Sequence, residues 1–200
     1  MKPLLMNSEM VNATLEGMKT QFRKILIHPE IEQYALDYSP YLVGDILYVR
    51  ETFAAFTRPH TEYGDCDEVE DKLDDLYLEM CGYPDIVYKA DNKSFPNKWR
   101  PSIHIPKWAA RIHLKVTNVR VERVKDINCQ DAWEEGIEHL PWDDAFGESS
   151  SATMDYIDDG NIFCPADPVA SFRTLWQSLY SKESWDNDYV FVYEFERVEG

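Results

Sequence analysis

Apolar positions along this chain recur with two different periods, and the switches between them predict the elements. Residues 3–6 (Pro-Leu-Leu-Met) predict a short strand. Asn7 or Ser8 then caps a helix whose apolar positions are Met10, Val11, Leu15 and Met18, with Gly17 ending its regular part. Residues 20–27 read as a strand, and Pro29 to Pro40 as a connection. A Gly44-Asp45 turn leads into a strand from Ile46 to Phe53. One face of that strand carries Leu47, Val49, Glu51 and Phe53; the other carries Ile46, Tyr48, Arg50 and Thr52. Glu51 therefore stands on an otherwise apolar face, where a carboxylate needs a cation or several donors.

Further on, Val69, Leu73, Leu76, Tyr77 and Met80 fall at helical spacing and predict an amphipathic helix with an acidic outer face. Ile86 to Ala90 reads as a short strand, and Pro96 to Pro106 as a loop holding Trp99, Arg100, Ser102 and His104. The longest strand signal runs from Arg111 to Val124. Ile112, Leu114 and Val116 alternate in one phase, Val119 and Val121 in the opposite one. The slip at Thr117-Asn118 predicts a bulge, a corner or a turn. Asn128 caps a short helix from Cys129 to Glu135, closed by Gly136. Residues 138–167 are rich in Ser, Asp, Gly and Pro and read as a long surface excursion. Asp167-Pro168 opens a helix with a buried stripe of Val169, Phe172, Trp176 and Leu179. Tyr189 to Phe195 is a final strand, apolar on both faces at first and alternating at its end. Many short strands with few helices predict an α+β fold: a small β-barrel with helices flanking its ends.

Composition refines this picture. A chain of 200 residues suggests one domain over 1–200, and 44% hydrophobic with 14% aromatic residues is enough for a packed core. No apolar run reaches the length of a membrane span, and Asn7, Ser8 and Glu9 interrupt any leader-like pattern, so a cytoplasmic protein is expected. Cys66, Cys81, Cys129 and Cys164 form no C-x-x-C pair, and His104 has no second ligand at suitable spacing, so neither metal nor cofactor is expected. The net charge of −17 is segregated. Residues 62–79 hold nine acids and one Lys, residues 138–167 eight acids and no Lys or Arg, whereas residues 86–125 hold ten Lys or Arg against Asp91 and Glu122. The basic stretch is a candidate phosphate-facing surface or a solvated exterior.

Several landmarks resemble one family. Leu15-Glu16-Gly17-Met18-Lys19-Thr20-Gln21-Phe22-Arg23 resembles the ASCH signature, a helix ending in Gly, then Lys, then a strand with a basic residue. Gly44 to Thr52 resembles its second landmark, a Gly-Asp turn into a strand. Trp99 to Arg111 is similar to a segment of the bacteriophage and prophage branch. Asp131 to Ile137 resembles the Ala-x-x-Glu-Gly helix, and Phe172 to Leu179 with Tyr189 to Phe195 resembles the closing helix and strand. The acidic segments at about 62–82 and 138–167 look like insertions. The resemblance implies a PUA-like barrel with a cleft beside the first helix, binding RNA or modified nucleosides in the cytoplasm of a bacterial host. One branch hydrolyses the acetyl amide of N4-acetylcytidine with a Lys, a Thr three residues beyond it, and a Glu on the Ala-x-x-Glu helix. Carried over, Lys19 and Glu135 match the Lys and the Glu; the Thr position is Phe22, and Thr20 stands two residues earlier.

These residues define three expectations. In a binding module, Lys19, Arg23, Glu51, Arg111 and Glu135 line a cleft for a base or nucleotide of single-stranded RNA or for a modified nucleoside. Trp99, Arg100, His104 and Trp108, with Lys107 and Arg111 interleaved, form a stacking and phosphate surface. Arg23 either clamps a phosphate or pairs with Glu51. In an amidohydrolase, Lys19 and Glu135 do acid/base work with Thr20 or a water in place of the missing Thr. In a phage interaction protein, the acidic segments engage a host protein. A membrane and duplex DNA are not expected partners.

Overall fold

In the computed structural model the described residues are 1–26, 36–56, 85–91, 98–137, 139–141, 151–153 and 168–199. The acidic helix expected within 62–82 lies outside them, as does most of 138–167. The fold is mixed α+β. Nine strands are described: β1 (Lys2–Leu5), β2 (Gln21–Ile25), β3 (Ile46–Arg50), β4 (Phe53–Phe56), β5 (Asp85–Tyr88), β6 (His113–Arg123), β7 (His139–Pro141), β8 (Ser151–Thr153) and β9 (Tyr189–Val198). Four α-helices are described: α1 (Ser8–Leu15), α2 (Cys129–Glu134), α3 (Pro168–Leu179) and α4 (Lys182–Asn187). The main sheet has five strands in the order β1-β3-β6-β9-β2, and it does not close into the expected barrel. Two ladders, β4-β5 and β7-β8, stand apart from it.

The chain divides into two compact units. The first comprises Met1–Val11, Leu47–His113 and the C-terminal pair Glu199–Gly200. Here β1 runs parallel to β3, with Leu4 opposite Val49, and β4 pairs antiparallel with β5, with Phe53 opposite Tyr88. The predicted inward face is borne out: Leu47, Val49 and Phe53 are fully buried, and Glu51 beside them is 2% exposed. Phe53, Ala55, Ile105 and Ala109 form a core against which Ile86, Tyr88 and Trp108 pack.

The second unit comprises Asn12–Ile46 and Leu114–Val198. β2 pairs antiparallel with β9, with Phe22 opposite Tyr193 and Arg23 opposite Val192. Alternation along β9 sends Val190 and Val192 into a core with Ile137, Phe172, Leu175, Trp176 and Trp185. The opposite face carries Tyr193 and Phe195, packed on Phe22. Burial on both faces from Val190 to Tyr193 matches the continuous apolar run read there.

Besides the barrel, five expectations changed. The single strand expected from Ile46 to Phe53 is two, because β3 ends at Arg50 and β4 begins at Phe53 in a different sheet. Met18 is 37% exposed, because the chain has left the helix at Gly17, where φ is +79°, and helical spacing no longer applies. Leu179 is 53% exposed; Leu175, adjacent to Trp176 on the same stripe, takes the buried place. β6 is assigned as one uninterrupted strand through Thr117-Asn118, though both residues are exposed and the alternation breaks there. Val116 exchanges backbone hydrogen bonds with the Gly44-Asp45 turn; beyond it the side chains of Asn118 and Arg120 reach Glu194 of β9. Helix α4 was not expected. It is capped by Ser181, whose Oγ accepts from the Ser184 N–H, and it buries Trp185.

Candidate functional site

The second unit holds a buried cluster of charges. α1 ends where the Gly17 N–H reaches the Thr14 carbonyl, and the N–H groups of Met18 and Lys19 both reach the carbonyl of Ala13. Gly17 supplies the left-handed turn that ends the helix and starts the strand. α2 begins with Asn128, whose Oδ1 accepts from the Asp131 N–H at 2.9 Å, and ends on Glu135, followed by Gly136 at φ +92°. A bridge between Lys19 and Glu135 joins these two places.

The resulting geometry is specific. Lys19, 1% exposed, donates through Nζ to Glu135 Oε2 at 2.7 Å and to the Glu135 carbonyl at 2.8 Å. Arg23 donates through Nη1 to Glu135 Oε1 at 2.8 Å and through Nη2 to Glu122 Oε1 at 2.8 Å, and its Nη2 also lies 3.3 Å from Asp131 Oδ2. Arg120 extends the cluster to Glu122, Asp131 and Glu194. Gln21 bonds Asp131 and Glu134. Lys19, Gln21 and Arg23 therefore share one face at alternate positions, and each meets a carboxylate from α2 or its end. Burial lowers the Lys19 ammonium below its ordinary value, a desolvation effect that outweighs the raising influence of Glu135. Removing either partner of such a pair leaves an uncompensated buried charge and costs about 3–5 kcal/mol.

The other face of β2 is apolar. Phe22 stacks on Tyr193 with ring centroids 4.7 Å apart and meets Tyr41 edge-on at 5.9 Å. Alternation carried one residue back puts Thr20 on this face with Phe22, away from Lys19. Thr20 is held through its backbone: its N–H donates to the Glu134 carbonyl at 2.8 Å, and its carbonyl accepts from Phe195 at 2.9 Å. Lys19, Arg23 and Glu135 thus come together as the sequence suggested, and Thr20 does not join them.

Glu51 and Arg111 belong to the first unit, with partners of their own. Arg111 grips Glu51 through Nε and Nη2, each 2.9 Å from a carboxylate oxygen, and reaches Asp91 Oδ2 through Nη1 at 2.6 Å. Its guanidinium lies 4.1 Å from the centre of the Tyr88 ring. So Glu51 does pair with a cation, but that cation is Arg111 rather than Arg23. Burial pushes the Glu51 carboxyl up, and the Arg111 ion pair only partly offsets this. Burial alone would lower Arg111, but its bonds to Glu51 and Asp91 outweigh that and hold it above its usual range.

The basic stretch divides by location. On β6 its cations are engaged: Lys115 with Glu196, Arg120 with its carboxylates, and Arg123 with Tyr189. In the loop 98–108, Lys98, His104 and Lys107 are exposed, and Trp99, Arg100 and Trp108 are half-buried. Arg100 Nη2 is shut from water without a hydrogen-bond partner among the described residues. Cys129 is exposed, while Cys66, Cys81 and Cys164 lie outside the described residues.

Sequence reasoning missed Gln21, Arg120, Glu122, Asp131 and Glu194 in one cluster, and Tyr88 and Asp91 in the other. Alternating polar residues on β2 and β6 (Gln21 and Arg23, Arg120 and Glu122) were the available signal for the first. No helix among the described residues is long and apolar enough to cross a membrane. The chain matches no protein-family model, no curated protein and no solved structure.

Proposed function

We propose that this chain is an ASCH-type module. It binds single-stranded RNA or a modified nucleoside beside the Lys19–Arg23–Glu135 cluster. One observation carries the reading. Lys19 and Glu135 stand 116 positions apart, the family resemblance assigns both to one site, and they meet at 2.7 Å. A stacking surface lies close by: Tyr180, 45% exposed, packs on Trp176 at 4.4 Å and has its hydroxyl raised by burial and by the charge of Glu135. A half-exposed aromatic beside fixed charges suits an unpaired base.

The amidohydrolase reading has one observation in its favour, the desolvated Lys19 with a carboxylate at hand. Against it stand Phe22, locked in an aromatic cluster, and Thr20, placed by alternation on the wrong face. The test is an NMR titration with cytidine, N4-acetylcytidine and a short single-stranded RNA, followed by chromatography. Amide shifts are expected around Lys19–Arg23, Glu135 and Tyr180, with RNA binding weakening as salt rises. N4-acetylcytidine is expected to remain intact; released cytidine would make the chain an enzyme. Unmoved amides at millimolar ligand would sink both readings.

A further inference from the structure

Arg111 is held by a buried carboxylate on one edge and by a half-exposed one on the other. Nε and Nη2 are taken by both oxygens of Glu51, which is 2% exposed, and the guanidinium plane rests on Tyr88. Tyr88 is itself fixed, its hydroxyl donating to the Ala109 carbonyl at 2.6 Å. The remaining nitrogen, Nη1, points at Asp91, whose side chain is 50% exposed. The two ion pairs differ in kind. The inner one is bidentate and part-buried, with Glu51 shut from solvent, so it fixes orientation. The outer one joins the partly exposed guanidinium to a half-exposed carboxylate, so solvent competes for it more than for the inner one.

We propose that Arg111 is a phosphate-binding group, and that Asp91 is an internal carboxylate occupying it until a phosphate-bearing ligand displaces it. An arginine oriented by a buried carboxylate and an aromatic face loses little freedom when it takes a phosphate oxygen. A phosphate carries more charge than the carboxylate it replaces. A second cation lies on the same side. Phe53 is opposite Tyr88 in the β4-β5 ladder and exchanges both backbone hydrogen bonds with Arg100 on its other side. Directly opposed residues share a face, so the Arg100 and Tyr88 side chains stand on one side, two strand spacings (about 10 Å) apart. Arg100 also brings a buried Nη2 with no hydrogen-bond partner among the described residues. The phosphate is either free or part of a nucleotide. The site lies wholly in the first unit, so it does not depend on the nucleoside reading of the second.

The test is calorimetric titration of the full chain with inorganic phosphate, 5′-cytidine monophosphate and cytidine. Asp91→Asn is expected to tighten phosphate or the monophosphate about two- to fivefold by removing the competitor, without altering cytidine binding. Arg100→Gln, which leaves the Glu51 pair intact, is expected to weaken the same ligand several-fold. Arg111→Lys, checked first for an unchanged melting temperature, is expected to weaken it about tenfold by losing the fork. Tightening for both ligands marks a phosphate site, and tightening for the monophosphate alone marks a nucleotide site. Unchanged affinities in Asp91→Asn and Arg100→Gln would overturn the proposal and leave an ordinary surface ion pair. Cytidine binding untouched by all three variants would then still report on the second unit alone.

Discussion

At the scale of single residues, burial sets the protonation energetics of this chain. Glu51 shows this most directly, because its carboxyl is held above its ordinary value of 4.5 despite a bidentate arginine. Desolvation wins because Arg111 is itself partly solvated and shared with Asp91. An acid with a raised folded-state pKa binds more protons folded than unfolded. Its contribution to stability is therefore greatest below the unfolded value and is lost as pH rises through the raised one. Urea denaturation across the mildly acidic range should show that fall, and Glu51→Gln should flatten it. An identical slope in the variant would assign the pH dependence elsewhere.

At the scale of elements, both ends of the charged cluster depend on helix termini. Asn128 starts α2 with a side-chain cap, and Gly17 ends the α1 region with a left-handed residue. A Cβ at Gly17 would meet no atom within 4 Å, so the cost of adding one is backbone strain alone. Gly17→Ala should lower stability by about 1 kcal/mol, read from the urea midpoint, and Gly17→Asn by less, since asparagine tolerates this region. An alanine variant as stable as the parent would mean that the turn relaxes at no cost. The cap at Asn128 was readable because capping involves residues only three apart. Leu179 was misplaced because periodicity names a stripe but not where its neighbours stop.

At the scale of the whole molecule, the net charge of −17 dominates. Mutual repulsion opposes compactness, and salt screens it. Exposed pairs such as Lys115–Glu196 lose at most about 1 kcal/mol to the same screening. The melting temperature should therefore rise from low to physiological ionic strength, by about 2–4 °C for each kcal/mol of repulsion relieved. A fall would show that the paired clusters matter more than the net charge.

Much of this is legible in the sequence. The strand start at Ile46, the buried alternation of Leu47, Val49, Glu51 and Phe53, the capped helix after Asn128, and the two-faced final strand all follow from spacing over a few residues, whereas the break after Arg50 that splits this stretch between two sheets does not. The need of Glu51 for a cation was likewise legible, because a carboxylate on an apolar face has few other solutions. Which cation answers was not. Arg23 and Arg111 are equivalent on paper, and choosing Arg111 for Glu51 and Glu135 for Arg23 joins residues 60 and 112 positions apart. Sheet closure has the same character: a barrel and an open sheet use the same alternating strands, and only the pairing of edges separates them. Local periodicity fixes which way a side chain faces. Long-range packing alone fixes what it meets there, because that depends on elements brought together by the rest of the chain.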